Sequence, residues 1–259
     1  MYPIFDSHAH YDDTAFDADR EDLLTRLPTL GVGAVIHAAT DPISARRGLD
    51  MASRHPYMRV AVGIHPEAAD RAVPAWLDEL DSLCTHPLVC GVGEIGLDYH
   101  YENAAPRQVQ IDLFRRQLEL AAAYDLPVIV HDRDAHEDTL RLLQEYKPAG
   151  VVHCFSGSVE MMQEVTALGM YIGLGGVTTF KNARRPAAVA AAVPADRLLL
   201  ETDAPYMAPE PYRGRRCDSS LIAHTAARIA ELRDTDTDTL LRTTWDNACR
   251  LFRVDFPVK

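Results

Sequence analysis

The sequence is poor in lysine, in paired cysteines and in long apolar runs, and the last two shortages each remove a class of protein. Its five cysteines, Cys84, Cys90, Cys154, Cys217 and Cys249, are odd in number and contain no CxxC pair. That pattern fits neither a disulfide framework nor a cysteine-rich zinc module, so free thiols are expected. The longest stretch without a formal charge, Val165 to Phe180, has sixteen residues, four of them glycine and three threonine. It is too short and too polar to span a bilayer, so no membrane association is expected. No Lys or Arg precedes Arg20, whereas Asp6, Asp12, Asp13, Asp17 and Asp19 do; a secretory signal is therefore not expected, and a cytoplasmic location is. Low-complexity runs, Gly/Ser linkers and long Pro-rich segments are also missing, which predicts one domain over residues 1–259.

What is present is an ordinary globular composition, with 259 residues, 47% of them hydrophobic and 25% charged. Asp and Glu number 38 against 26 Lys and Arg, a net charge of −12. Such a field opposes loose binding to DNA or anionic membrane, so a polyanion would need a local positive site. Eight short β-rich runs recur: Ile4-Phe5, Gly33–Ala38, Met58–Ile64, Leu88–Ile95, Pro127–Val130, Gly150–Phe155, Met170–Leu174 and Arg197–Thr202. Helical segments lie between them, the clearest being Pro106 to Tyr124, which places Ile111, Phe114, Leu118, Ala121 and Ala122 on one face. Alternation of this kind implies parallel pairing, and eight units in this length predict a single α/β domain, a (β/α)8 TIM-type barrel, ahead of a doubly wound sheet.

The reactive residues sit where such a barrel would use them. Asp6, His8 and His10 follow the first strand, and simple alternation sends all three to one face. Later strand ends supply His65, Glu94, His131 with Arg133, His153, and Asp203 with Glu201. The carboxyl ends of all strands share one rim, so these scattered residues are expected to converge there in one pocket. His37, His55, His86, His136 and His224 fall inside a strand, before one or on helices, and read as structural. Cys154 has the opposite strand parity to His153 and reads as packing. Four imidazoles with two or three carboxylates exceed the needs of one ion, and a carboxylate such as Glu94 can bridge two, so two divalent ions are expected.

The motifs DSHAH, GIHP, GEIGLDY, the HxR of His131 to Arg133, HCFSG, ETDAPY and PYRG run in this order along the chain. In order and spacing they resemble the TatD family of metal-dependent deoxyribonucleases, within the amidohydrolase-like barrel superfamily, from end to end. The resemblance implies that His8, His10, Glu94 and Asp203 hold one metal and that Glu94, His131 and His153 hold the second. It places His65 toward the substrate and makes Asp6 and Glu201 supports that orient imidazoles by hydrogen bonds. One segment departs from the family: after PYRG a basic pair is usually followed by Asn-Glu-Pro, whereas here Arg215 and Arg216 lead to Cys217, Asp218 and Ser219. Asp218 reads as a helix cap.

Two ions on one rim suit hydrolysis by an activated water, with Asp203 as the proton acceptor. Lys181, Arg184 and Arg185 follow the seventh strand, and Arg213, Arg215 and Arg216 the eighth. Guanidinium groups bind phosphate oxygens, which favours a phosphodiester, with Arg133, Arg213 and Arg215 as substrate contacts. The family implies 3′-5′ removal of nucleotides from single-stranded or damaged DNA, and no obligate protein partner is inferred. Ligand softness suits Zn2+, Mn2+ or Fe2+, whereas the family's nuclease activity is usually assigned to Mg2+. The alternatives are a hydrolase of another ester or amide, such as an aminoacyl-tRNA deacylase or an amidohydrolase, and a noncatalytic nucleic-acid-binding barrel. A carboxylated-lysine bridge is disfavoured, because of the three lysines Lys147 precedes a strand, Lys259 is terminal and Lys181 lies well past strand seven.

Overall fold

The computed structural model describes residues 1–257; Lys259 lies outside that range. Eight parallel strands pair in sequence order: β1 (Ile4–Ala9), β2 (Val32–Ala38), β3 (Met58–Val62), β4 (Val89–Asp98), β5 (Val128–Arg133), β6 (Gly150–Val152), β7 (Tyr171–Leu174) and β8 (Leu198–Leu200). Around them run α1 (Arg20–Arg26), α2 (Pro42–Arg54), α3 (Pro74–Leu83), α4 (Arg107–Ala123), α5 (His136–Tyr146), α6 (Val159–Ala167), α7 (Arg184–Ala192), α8 (Ile222–Leu232) and α9 (Thr237–Phe252). Every expected run holds a strand, and the sheet curls into a nearly closed barrel. Backbone closure lies toward the carboxyl rim, where Ala9 bridges Ala204, His10 N–H donates to the Ala204 carbonyl at 2.7 Å and Asp203 N–H donates to that of His8 at 3.0 Å.

Local chemistry sets the helix ends. Asp41 and Ser158 accept hydrogen bonds from the Ser44 and Met161 N–H groups at the starts of α2 and α6, and Asp236 caps α9 through Thr239 N–H. Asp218 accepts from Ser220 N–H and caps a short 3-10 turn ahead of α8, as the sequence suggested. Two buried amides of α4 tie this helix to the rim. Gln117 spans the N–H and carbonyl of Ile64 at 2.7 and 3.0 Å, and Gln110 does the same for Asp98 at 2.8 Å each.

The barrel interior is filled by Phe5, Ala34, Ile36, Ala61, Ile129, Val151, Tyr171 and Leu199. At the amino ends of the strands α9 plugs it with Trp245, Leu251 and Phe252; the Trp245 ring meets Phe5 edge-on at 5.4 Å. Outward-facing strand residues such as Ile4, Val35, Val60, Val128 and Val152 pack under the helices. The plug lies at the opposite end from the reactive residues. Trp245→Ala is therefore expected to lower the unfolding free energy from denaturant titration by about 3–5 kcal/mol, while the folded fraction keeps the metal content of the parent.

Candidate metal centre

Two strand irregularities aim the side chains at the rim. Along β4 and β5, Val92 faces Val128 and Ile95 faces Val130, so three steps on β4 oppose two on β5 and the extra residue falls at Gly93–Glu94. After it Ile95 and Leu97 point outward, whereas Glu94 and Asp98 point inward. In β1 the same irregularity lies between Asp6, opposite Val35, and Ala9, opposite His37. It breaks the simple alternation that put Asp6 on the imidazole face: Asp6 turns away while His8 and His10 face inward.

Five imidazoles surround one buried carboxylate, and a second carboxylate, Asp203, meets two of them. Glu94 Oε2 lies 3.3 Å from both His8 Nε2 and His10 Nε2, and Asp203 Oδ1 lies 3.7 and 3.4 Å from the same two nitrogens. Glu94 Oε1 lies 2.7 Å from both His131 Nδ1 and His153 Nε2, and 3.4 Å from His65 Nε2. Three overlapping groups, His8 with Glu94 and His153, His8 with His10 and Asp203, and His65 with Glu94 and His131, have donor atoms close enough to hold an ion. Protons alone satisfy this cluster badly. His10 donates Nδ1–H to the Ala38 carbonyl at 2.8 Å, which turns its Nε2 toward the Nε2 of His8 at 3.0 Å. Nδ1 of His8 and of His153 is buried without a hydrogen-bond partner. A donor set of this kind fits divalent cations.

The buried charges act strongly on one another. Burial alone raises the Glu94 carboxyl pKa, but the positive potential of His153, His65 and His8 outweighs it and holds the group well below its usual range. His131 is pressed down by burial, yet its bonds to Asp98 and Glu94 lift it to about 9. His8 is held below its ordinary value by burial and by the neighbouring His153.

The supporting groups differ from expectation. Asp6 orients no imidazole: its Oδ1 accepts from the backbone N–H of His8 and Thr202 at 3.2 and 3.0 Å, and Oδ2 from the hydroxyls of Thr202 and Ser219 at 2.7 and 2.6 Å. Burial pushes its carboxyl up to about 7 against these four donors. Glu201 accepts from Cys154 N–H and stands 3.7 Å from His153 Nδ1, beyond a hydrogen bond. Gly173 makes room for it, since a Cβ there would lie 2.3 Å from Glu201 Oε2. The carboxylate that does orient an imidazole is Asp98, 3.0 Å from His131 Nε2, which leaves Nδ1 for Glu94. Asp98 was not among the sequence candidates, although its even spacing from Glu94 in GEIGLDY carried the signal.

A cavity of about 580 Å3 opens over these donors and is lined by His10, His65, Glu94, His131, Arg133, His153 and Asp203, with Asp98, Tyr101 and Arg71. Asp12, Asp13, Asp41 and Glu67 line it from the loops after β1, β2 and β3, and Tyr206 and Met207 from the loop after β8. Arg133 donates to the Tyr101 hydroxyl at 3.1 Å. Arg213 and Arg215 do not line it; their guanidinium groups lie over the Phe180 and Tyr212 rings at 4.2 and 5.9 Å. Arg216 is paired with Asp19 at 2.6 Å. None of the five histidines read as structural reaches the cavity; His37, for one, is outward-facing and fits over Gly48, where a Cβ would lie 2.2 Å from its ring.

The sequence profile of the family described as "TatD related DNase" matches residues 5–253. The chain belongs to the TatD family. Among its relatives, an uncharacterized metal-dependent hydrolase, YabD, of Bacillus subtilis is 37% identical over 97% of this chain and 100% of that protein. A Salmonella typhimurium TatD protein, named as a 3′-5′ ssDNA/RNA exonuclease, is 33% identical over 98% of this chain and all of its own length. The crystal structure of YJJV, a TatD homologue from Escherichia coli K12, superposes with a TM-score of 0.92 at 34% identity, covering 97% of this chain and 98% of that one. Like these relatives the protein is a metal-dependent hydrolase of the TatD family. If Asp98 orients His131 as the geometry indicates, Asp98→Asn should weaken divalent-ion binding by roughly 10- to 100-fold in calorimetric titration; unchanged affinity would remove that role.

Proposed function

We propose that this TatD-family hydrolase is a divalent-metal-dependent deoxyribonuclease that removes nucleotides from the 3′ end of single-stranded DNA. The observation that carries the reading is the convergence of five rim imidazoles on the two oxygens of Glu94, with Asp203 against two of them and the guanidinium of Arg133 on the same cavity. Relatives named as 3′-5′ ssDNA/RNA exonucleases support the substrate class. His8, His10, Glu94 Oε2 and Asp203 would hold one ion, and Glu94 Oε1, His131 Nδ1 and His153 Nε2 the second, as Mg2+, Mn2+ or Zn2+. Such ions supply Lewis-acid polarisation of a phosphoryl oxygen and acidify a water.

The chain's own groups do the rest. Asp203 is the more open carboxylate, its side chain 16% exposed against 3% for Glu94, and it takes the proton from the attacking water. His65 receives Glu67 N–H at Nδ1 over 3.2 Å, so its neutral ring carries its proton on Nε2 and donates it into the cavity, toward a substrate oxygen. This tautomer is unsuited to ligation through Nε2 and separates His65 from the metal-holding set. Arg133, steadied against Tyr101, presents its free N–H groups to the phosphate.

The direct test incubates the protein, stripped by chelator, with end-labelled DNA, RNA and an ester and amide panel under added Mg2+, Mn2+ or Zn2+. DNA should shorten from its 3′ end only when an ion is restored. Asp203→Asn should lower turnover roughly 100-fold or more, and Glu94→Ala should leave fewer than two ions bound by elemental analysis. Cleavage of an ester or amide with DNA and RNA untouched would transfer the site to the alternative hydrolase reading, and binding of DNA without cleavage of anything to the noncatalytic one.

A further inference from the structure

The net charge of −12 is distributed unevenly around the mouth of the cavity. Asp12, Asp13, Asp41 and Glu67 line the side built by the loops after β1, β2 and β3. Residues 175–187, after β7, hold Lys181, Arg184 and Arg185 and no carboxylate; residues 204–217, after β8, hold Arg213, Arg215 and Arg216 against Glu210 alone. Arg216 is used up by Asp19. Among the described residues the other five form no ion pair, and all five are exposed. In a chain with twelve surplus acids, five neighbouring cations without carboxylate partners are not a product of composition.

The two loops form one ledge. Glu210 N–H donates to the Thr179 hydroxyl at 2.8 Å, Arg213 lies over the Phe180 ring at 4.2 Å, and Arg185 reaches the Ser156 carbonyl after β6 at 3.3 Å. The ledge starts at the cavity, because Tyr206 and Met207 line the mouth, are 53% and 44% exposed, and precede Arg213 on the same loop. Gly176 packs so tightly under that loop that a Cβ would lie 2.0 Å from the Met207 carbonyl. Arg184 and Arg185 also occupy the first turn of α7, where cations oppose the helix dipole, so helix stability does not account for them.

We infer that this ledge is a track for the polynucleotide beyond the cleaved linkage, its cations gripping successive phosphates while Tyr206, 53% exposed, offers a face for an unstacked base. The ledge cations therefore act on phosphates outside the cavity and leave the scissile one to Arg133. An extended single strand fits the ledge, since phosphate contacts with interleaved aromatic faces are the general means of binding one. The inference rests on the nuclease reading for its substrate, and its test separates the two.

The test compares the parent, Lys181→Glu with Arg184→Glu, and Arg213→Glu, using a thymidine dinucleotide and 4-, 12- and 20-residue oligothymidylates. Fluorescence anisotropy of a labelled 12-mer on chelated protein provides a readout free of catalysis. The parent's kcat/KM should rise with length and then level off. Both variants should raise KM at least 10-fold for the 12-mer, change the dinucleotide by less than threefold, weaken 12-mer binding in parallel and lower its salt slope by about one unit per lost phosphate contact. Equal losses on the dinucleotide and the 12-mer would place these cations in the cavity and overturn the track, as would unchanged binding and KM at every length. If the parent cleaves no oligonucleotide, the nuclease reading fails; the track then stands or falls on whether the variants weaken 12-mer anisotropy.

Discussion

Everything at the rim depends on one buried charge, the carboxylate of Glu94. It is almost fully withdrawn from water, and an isolated anion there would be strongly disfavoured. The fold compensates by bringing imidazoles from β1 and β5 and from the ends of β3 and β6 to within ion-holding distance of it. This requires the strand irregularity at Gly93–Glu94, the α4 amides that hold Asp98 and Ile64 in place, and a glycine at position 173 to admit Glu201.

The architecture was legible because it is written in a regular alternation of short β-rich runs and helical segments, and because chemistry-bearing residues recur just after the runs. His8, His10, His65, Glu94, His131, His153, Arg133 and Asp203 all come together as expected. What stayed hidden followed from local departures in strand geometry. The irregularity in β1 reverses the side on which Asp6 lies, so a residue placed by alternation beside the imidazoles instead binds Thr202 and Ser219. Asp98 went unnoticed because β4 continues three residues past Ile95, and nothing in residue type alone marks where a strand ends. Arg213 and Arg215 were correctly given to a loop after β8, but a loop of that length carries them past the cavity, which sequence position does not reveal.

The two ends of the barrel divide the labour. The amino end is apolar and sealed by α9 around Trp245, and the carboxyl end is polar, open and rich in groups that are poorly satisfied on their own. Stability accumulates where nothing reacts, which lets the rim keep unpartnered nitrogens and a crowded set of like charges at tolerable cost.

The seam between β1 and β8 gives this division a mechanical meaning. The first and last strands meet by a backbone bridge at Ala9 and Ala204, with Ser7 Oγ donating to the Leu200 carbonyl at 3.0 Å below it, and the same stretch carries His8, His10 and Asp203. A cation held by these three would be a clasp joining the two chain-distant edges of the barrel. Occupancy and breathing of the seam are then thermodynamically linked, since a ligand that binds only the closed form raises the free energy of opening by RT ln(1 + [L]/Kd). Loss of the ion loosens the rim by the same amount.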